Sequence, residues 1–161
     1  MGSHVFYPAH GVAEVTGIEK RELGQEQHEF YVLELCQGGK LLLPMAKVAP
    51  SGVRALISAA HARELTKTVT SEPQLDEGPW RERAEIYAES LRDGAADGYT
   101  ETLRQLLFRS KNDKLTTTER RQFDTARAYF VAEISVVLDQ PTAQIEAQLQ
   151  AVTETDGKPK K

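Results

Sequence analysis

The chain has 161 residues, with 20 basic and 24 acidic side chains and a formal net charge of −4. Hydrophobic residues make up 40% and charged residues 27%, enough to bury a core, and no apolar run approaches the ~20 residues that a bilayer-spanning helix requires. A membrane or secreted protein is disfavoured. The lone Cys36 excludes an internal disulfide and a cysteine-built metal site, and the acidic balance argues against strong unaided affinity for nucleic acid.

Residues 5 to about 48 read as short strands. VFYP is stopped by Pro8, GVAEVTGIE spaces Val12, Val15 and Ile18 among polar residues, and HEFYVLELC is rich in β-branched and aromatic types. Gln37-Gly38-Gly39 supplies a turn before KLLLP, which Pro44 closes. Residues 49–55 form a connector. A helix is expected over 58–68 with Ser58 as its N-cap, able to pack on either half of the chain. Residues 69–79, rich in proline, glycine and acid, read as a flexible linker.

The second half is helical. Trp80, Ala84, Tyr87, Ala88 and Leu91 make one apolar stripe, ended by Asp93-Gly94. Tyr99, Leu103, Leu106 and Leu107 make the next, and RSKNDK breaks it. Thr116 and Glu119 fit a capping box that opens the longest helix, with Phe123, Ala126, Phe130, Ile134, Val137 and Leu138 on one side. Asp139-Gln140-Pro141 closes it. A last helix carries Ile145, Leu149 and Val152, and TDGKPKK is a solvated tail. The expected architecture is α+β: a β domain with a trailing helix over residues 1–68, a linker over 69–79, a helical domain over 80–153 and a tail over 154–161.

No enzyme is legible. His4, His10, His28 and His61 fall at no metal-ligand spacing, phosphate-cradling and nucleophile motifs are absent, and Asp76-Glu77 sit where nothing would tune a general acid. No metal or cofactor is expected. Local charge says more. Between Arg104 and Arg127, seven basic residues (Arg104, Arg109, Lys111, Lys114, Arg120, Arg121, Arg127) face only Asp113, Glu119 and Asp124, a surplus of +4 in an acidic chain. Such a segment is either a solvated hairpin or a phosphate-facing surface. Trp80, the sole tryptophan, starts a helix just after Gly78-Pro79. It either caps the core stripe or projects as an apolar wedge of the kind that enters a DNA minor groove at easily unstacked steps.

The ordered succession of VFYPAHGVAEVTGIEKRELGQEQHEFYVLEL, LLLP, SGVR, the Trp ahead of an Arg-containing helix, and Leu115-Thr116 through Glu119-Arg120 to Thr125-Ala126-Arg127 resembles the CarD/CdnL-type bacterial transcription regulators over about residues 5–150. The resemblance implies a Tudor-like β barrel that docks on the RNA polymerase β subunit, through positions matched here by Arg21, Leu42 and Pro44. It also implies a compact helical domain whose tryptophan, matched by Trp80, wedges at the upstream edge of melted promoter DNA and stabilises the open complex. Arg81 and Arg83 beside the wedge, and Arg120, Arg121 and Arg127 in the basic segment, are then candidate phosphate contacts. Two departures stand out. Glu82 and Glu85 occupy positions where a base is common after the Trp, and Leu41-Leu42-Leu43 before the proline implies a more apolar docking strand than in several relatives. The expected protein is a cytoplasmic, monomeric, non-enzymatic regulator whose contact with promoter DNA is weak and dependent on polymerase. The rival is an adaptor that uses the same barrel without touching DNA, with Trp80 in the core.

Overall fold

In a computed structural model, residues 2–8, 10–36, 38–112 and 114–156 are described. They divide into two compact units, Met1–Leu56 and Ile57–Lys161.

The first unit is a five-stranded antiparallel sheet of β1 (His4–Tyr7), β2 (Gly11–Leu23), β3 (Glu26–Leu35), β4 (Lys40–Pro44) and β5 (Arg54–Ala55), in the order β4-β3-β2-β1-β5. Val15, Tyr31, Leu35 and Leu41 pack with buried Ala13, Leu33 and Leu43 to form the core of its inner face, joined by Val5, Tyr7, Val48 and Val53. A register shift between Val15 and Gly17 bulges β2 at Thr16, which bends the strand and increases its twist. This five-stranded antiparallel sheet is consistent with the Tudor-like β domain that the resemblance implies.

Two features of this unit depart from the sequence expectation. Strands β2 and β3 extend well beyond GVAEVTGIE and HEFYVLELC, through the polar run KRELGQEQ, to a two-residue loop at Gly24-Gln25. Gly24, at φ 68, takes the positive φ that the first position of a type II′ turn demands. This hairpin carries little hydrophobic alternation, so its strands escape pattern reading. The connector 49–55 also contains structure: a one-turn helix α1 (Val48–Ser51) and then β5, which pairs with β1 and lays the Arg54 guanidinium 4.5 Å from the centre of the Phe6 ring. The expected turn at Gln37-Gly38-Gly39 includes Gln37, which lies outside the described residues; Gly38 and Gly39 both have positive φ.

The second unit is all helical: α2 (Ala59–Val69), α3 (Trp80–Asp93), α4 (Ala96–Asn112), α5 (Thr117–Leu138) and α6 (Thr142–Asp156). Its core is Tyr99, Leu103, Leu106, Phe130, Ile134 and Ile145, all at most 1% exposed. The local stop and start signals act as expected. Ser58 Oγ accepts from the His61 amide at 3.1 Å, Gly94 closes α3 at φ 81, and Asp139 closes α5 in the left-handed region at φ 55. Helix α2 buries Ala62, Leu65 and Val69 and packs on α4 and α5, so it belongs with the helices rather than trailing the sheet. At the core of this unit the fully buried Glu133 accepts from the Tyr99 hydroxyl at 2.5 Å and from the Ile57 amide at 2.9 Å, anchoring the unit's first residue.

RSKNDK does not break α4 at its start. The helix runs on through Asn112, with Arg109 tethered to the Asp76 carbonyl at 2.5 Å. Helix α6 likewise continues to Asp156; the rest of the expected tail, residues 157–161, lies outside the described residues.

Candidate functional site

The three residues expected to meet a polymerase share one face of the sheet. Side chains of a strand alternate between faces, and directly paired residues share one. The inner face takes Tyr31, Leu33 and Leu35 of β3, so His28, Phe30 and Val32 face outward. Their partners are Arg21 to His28, Glu19 to Phe30, Pro44 to Phe30 and Leu42 to Val32. Arg21, Leu42 and Pro44 therefore stand on one surface around Phe30 and Val32. Leu42, Pro44, Phe30 and Val32 are each only half-buried. Arg21 is exposed and reaches Glu19 at 3.1 Å. Strand β4 lies at the sheet edge, where one row of backbone groups is left for another chain. From the sequence Phe30 and Val32 read only as apolar residues of a strand; the register is what lines them up beside Leu42 and Pro44.

Trp80 is the first residue of α3, with Pro79 as N-cap, and is half-buried rather than part of the sealed core. The stripe below it, Ala84, Tyr87 and Leu91, is buried. The Arg81 guanidinium lies 5.1 Å from the centre of the indole, within cation–π range, and Glu82 and Glu85 point to solvent.

The arginines fall into two groups. Arg83 is turned inward: Nη1 donates to the Gly78 carbonyl at 2.7 Å and Nη2 meets Glu119 at 2.8 Å, with the two side chains only 12% and 3% exposed. Arg104 donates to the Ser71 and Glu72 carbonyls, and Arg109 to that of Asp76. Arg127 pairs with Glu146 at 3.2 Å. Arg120 and Arg121 remain exposed, Arg120 with its guanidinium 5.5 Å from the centre of the Phe123 ring. With Lys114, Thr116 and Thr117 they line an open groove of about 620 Å³ at the start of α5, which Asp124 also borders.

The segment expected to be a flexible linker is a strap laid on α4. Gln105, 3% exposed, accepts from the Asp76 amide and donates to the Gln74 carbonyl, both at 3.0 Å. The Tyr87 hydroxyl donates to Asp76 at 3.0 Å. Burial, and then the bond to Asp76, pushes the Tyr87 hydroxyl pKa well above its ordinary value. A linker rich in proline and acid resembles coil in composition, but its carbonyls are partnered by side chains thirty residues away in sequence.

Glu119 sits where two systems meet. Its Oε1 accepts from the Thr116 amide at 3.0 Å while the Thr116 hydroxyl accepts from the Glu119 amide at 3.1 Å, the expected capping box, and its other oxygen takes Arg83. Burial opposes its charge, but the Thr116 amide and Arg83 outweigh that and hold the carboxyl below its ordinary value. Among the described residues no group of three His, Cys, Asp or Glu is placed to hold a metal ion, and no helix is long and apolar enough to cross a membrane.

A sheet unit with a half-buried apolar strip on its outer face, followed by a helical unit whose second long helix starts at a tryptophan, has the two-module layout of the CarD type. Residues 1–57 match the family described as the CarD-like/TRCF RID domain, and residues 64–150 match the CarD C-terminal domain. The chain belongs to the CarD family, which consists of transcription factors rather than enzymes. It is 23% identical over 151 residues to the "Putative transcription factor YdeB" of Bacillus subtilis (strain 168), a match covering 91% of this chain and 97% of that protein.

Proposed function

We propose that this transcription regulator docks on the RNA polymerase β subunit through the outer face of its sheet and supports the open promoter complex through Trp80. The observation that carries the reading is the strip Phe30–Val32–Leu42–Pro44 beside exposed Arg21, at an edge with free backbone groups. Such a surface suits strand addition, with main-chain bonds giving affinity and the flanking side chains specificity. Half-exposed Trp80 fits a wedge, and exposed Arg81, Arg120 and Arg121 are the candidate phosphate contacts that remain accessible.

Polymerase pull-down with the full chain and its Leu42→Glu and Arg21→Glu variants tests the docking face. Each variant should weaken capture, by about 1–3 kcal/mol if the contact is desolvated. Capture by both variants equal to that of the parent chain would refute the docking face. A specific observation also favours the adaptor reading: Arg83, Arg104 and Arg109 are spent on internal partners, and Glu82 and Glu85 face solvent beside Trp80. Open-complex lifetime with Trp80→Ala decides between the two. The promoter reading predicts a shorter lifetime with polymerase capture intact; an unchanged lifetime favours the adaptor.

A further inference from the structure

Two side chains bridge the N-terminal parts of α3 and α5 in opposite directions. Arg83 reaches from α3 to Glu119 on α5 at 2.8 Å, and Gln122 Nε2 reaches from α5 back to the Ala84 carbonyl at 2.8 Å. The same guanidinium takes the Gly78 carbonyl at 2.7 Å, two residues before Trp80, and Gly78 holds φ at 120. Pro79 fixes the next φ at −62, and its carbonyl accepts from the Glu82 and Arg83 amides. The backbone of Trp80 is thus held from both sides by one arginine three residues further along, a spacing that puts the two side chains next to each other on the helix surface. Glu119 uses its remaining oxygen to cap α5, the helix that presents Arg120 and Arg121 in its first turn.

We propose that Arg83 is a positioning residue and not a phosphate contact: through Gly78 and Glu119 it locks Trp80 in register with the start of α5, so that the indole and the Arg120–Arg121 pair form one rigid surface. The consequence for promoters rests on the wedge reading of Trp80; the clamp itself does not. The fork geometry matters. A guanidinium serves two acceptors at fixed angles, whereas a lysine is a point charge that still binds phosphate but cannot span Gly78 and Glu119 together.

Trp80 is the only tryptophan, so the intact chain reports on itself. Acrylamide quenching of Trp80 fluorescence should rise in Arg83→Lys and in Glu119→Gln relative to the parent, with circular dichroism unchanged. Glutamine at the third helical position still serves a capping box, so Glu119→Gln keeps the test open if an arginine variant unfolds. Open-complex lifetime should fall in Arg83→Lys, while the salt dependence of promoter association keeps its slope. A phosphate contact predicts otherwise: Arg83→Lys would retain lifetime and quenching, and Arg83→Gln would flatten the salt slope by about one. Unchanged quenching in both folded variants, or a flattened slope, overturns the proposal. If Trp80→Ala leaves the lifetime untouched, the promoter reading fails on its own, and quenching in the free protein still decides the clamp.

Discussion

Trp80 and Glu119 show how burial divides roles among single residues. A tryptophan sealed in a core costs ~3–5 kcal/mol when cut to alanine, but Trp80 keeps part of its surface in water, and the sealed stripe of α3 begins at Ala84. Trp80→Ala should therefore cost only about 1–2 kcal/mol by the same area argument, read as a modest fall in urea midpoint; a loss in the fully buried range would place the indole in the core. Glu119 behaves in the opposite way. Its carboxyl has a lower pKa in the folded state than the ordinary 4.5, so the folded state binds its proton less readily than the unfolded state. The stabilisation it lends is present above about pH 4.5 and is lost as pH falls through the lower folded value. Glu119→Gln should thus destabilise the chain at neutral pH and flatten the acid limb of stability against pH, measured by urea unfolding at a series of pH values. An acid limb identical to the parent's would show that Glu119 does not titrate with folding. The capping box of Glu119 was legible because it depends on a spacing of three residues. Its pairing with Arg83 was not, because nothing local links positions 36 apart in sequence.

At the scale of elements the same distinction holds. Helix starts and stops at Ser58, Gly94, Thr116 and Asp139 follow from short-range backbone chemistry and were readable. The polar end of the β2–β3 hairpin and the strap over α4 were missed for one reason: their stability comes from partners rather than composition. Residues 20–27 are mostly polar, and only pairing of Lys20 with Glu29 through Leu23 with Glu26 makes them strands. The strap is coil by propensity and is tied to α4 by hydrogen bonds from Arg104, Gln105 and Arg109. On the outer sheet face, Leu42 and Pro44 came from the resemblance, whereas Phe30 and Val32 read only as strand residues until the register set them beside those two. If Gln105 is the strap's central tie, Gln105→Ala leaves the Asp76 amide and the Gln74 carbonyl short of partners and should cost roughly 1–3 kcal/mol. Amide hydrogen exchange at Asp76 should accelerate more than exchange in the centre of α5. Equal protection at Asp76 before and after the change would show that Arg109 and Tyr87 suffice to hold the strap.

For the whole molecule, charge limits what can happen without a partner. Residues 1–56 carry five basic against six acidic side chains and residues 57–161 fifteen against eighteen, so neither unit is a cationic surface. The basic surplus between Arg104 and Arg127 shrinks further once the internal bonds are drawn, since Arg104 and Arg109 hold the strap and Arg127 is paired with Glu146. What faces solvent near the start of α5 is Lys114, Arg120 and Arg121, with Asp124 at the rim. Each phosphate neutralised by a base contributes a salt-sensitive increment, and these three bases, with exposed Arg81 on α3, give a shallow slope and little affinity. The free chain should therefore bind naked duplex DNA no more tightly than the ~10⁻⁴–10⁻⁶ M typical of non-specific contacts at physiological salt. Under the proposed docking on polymerase that limit would be lifted, because tethering converts a DNA contact into an intramolecular one at high effective concentration. Fluorescence titration of labelled promoter duplex against the free chain at several salt concentrations tests the argument. Arg120→Glu with Arg121→Glu should abolish the residual binding, whereas Arg83→Lys should not. Nanomolar binding to naked duplex at physiological salt would mean that the exposed bases are worth far more than their number allows.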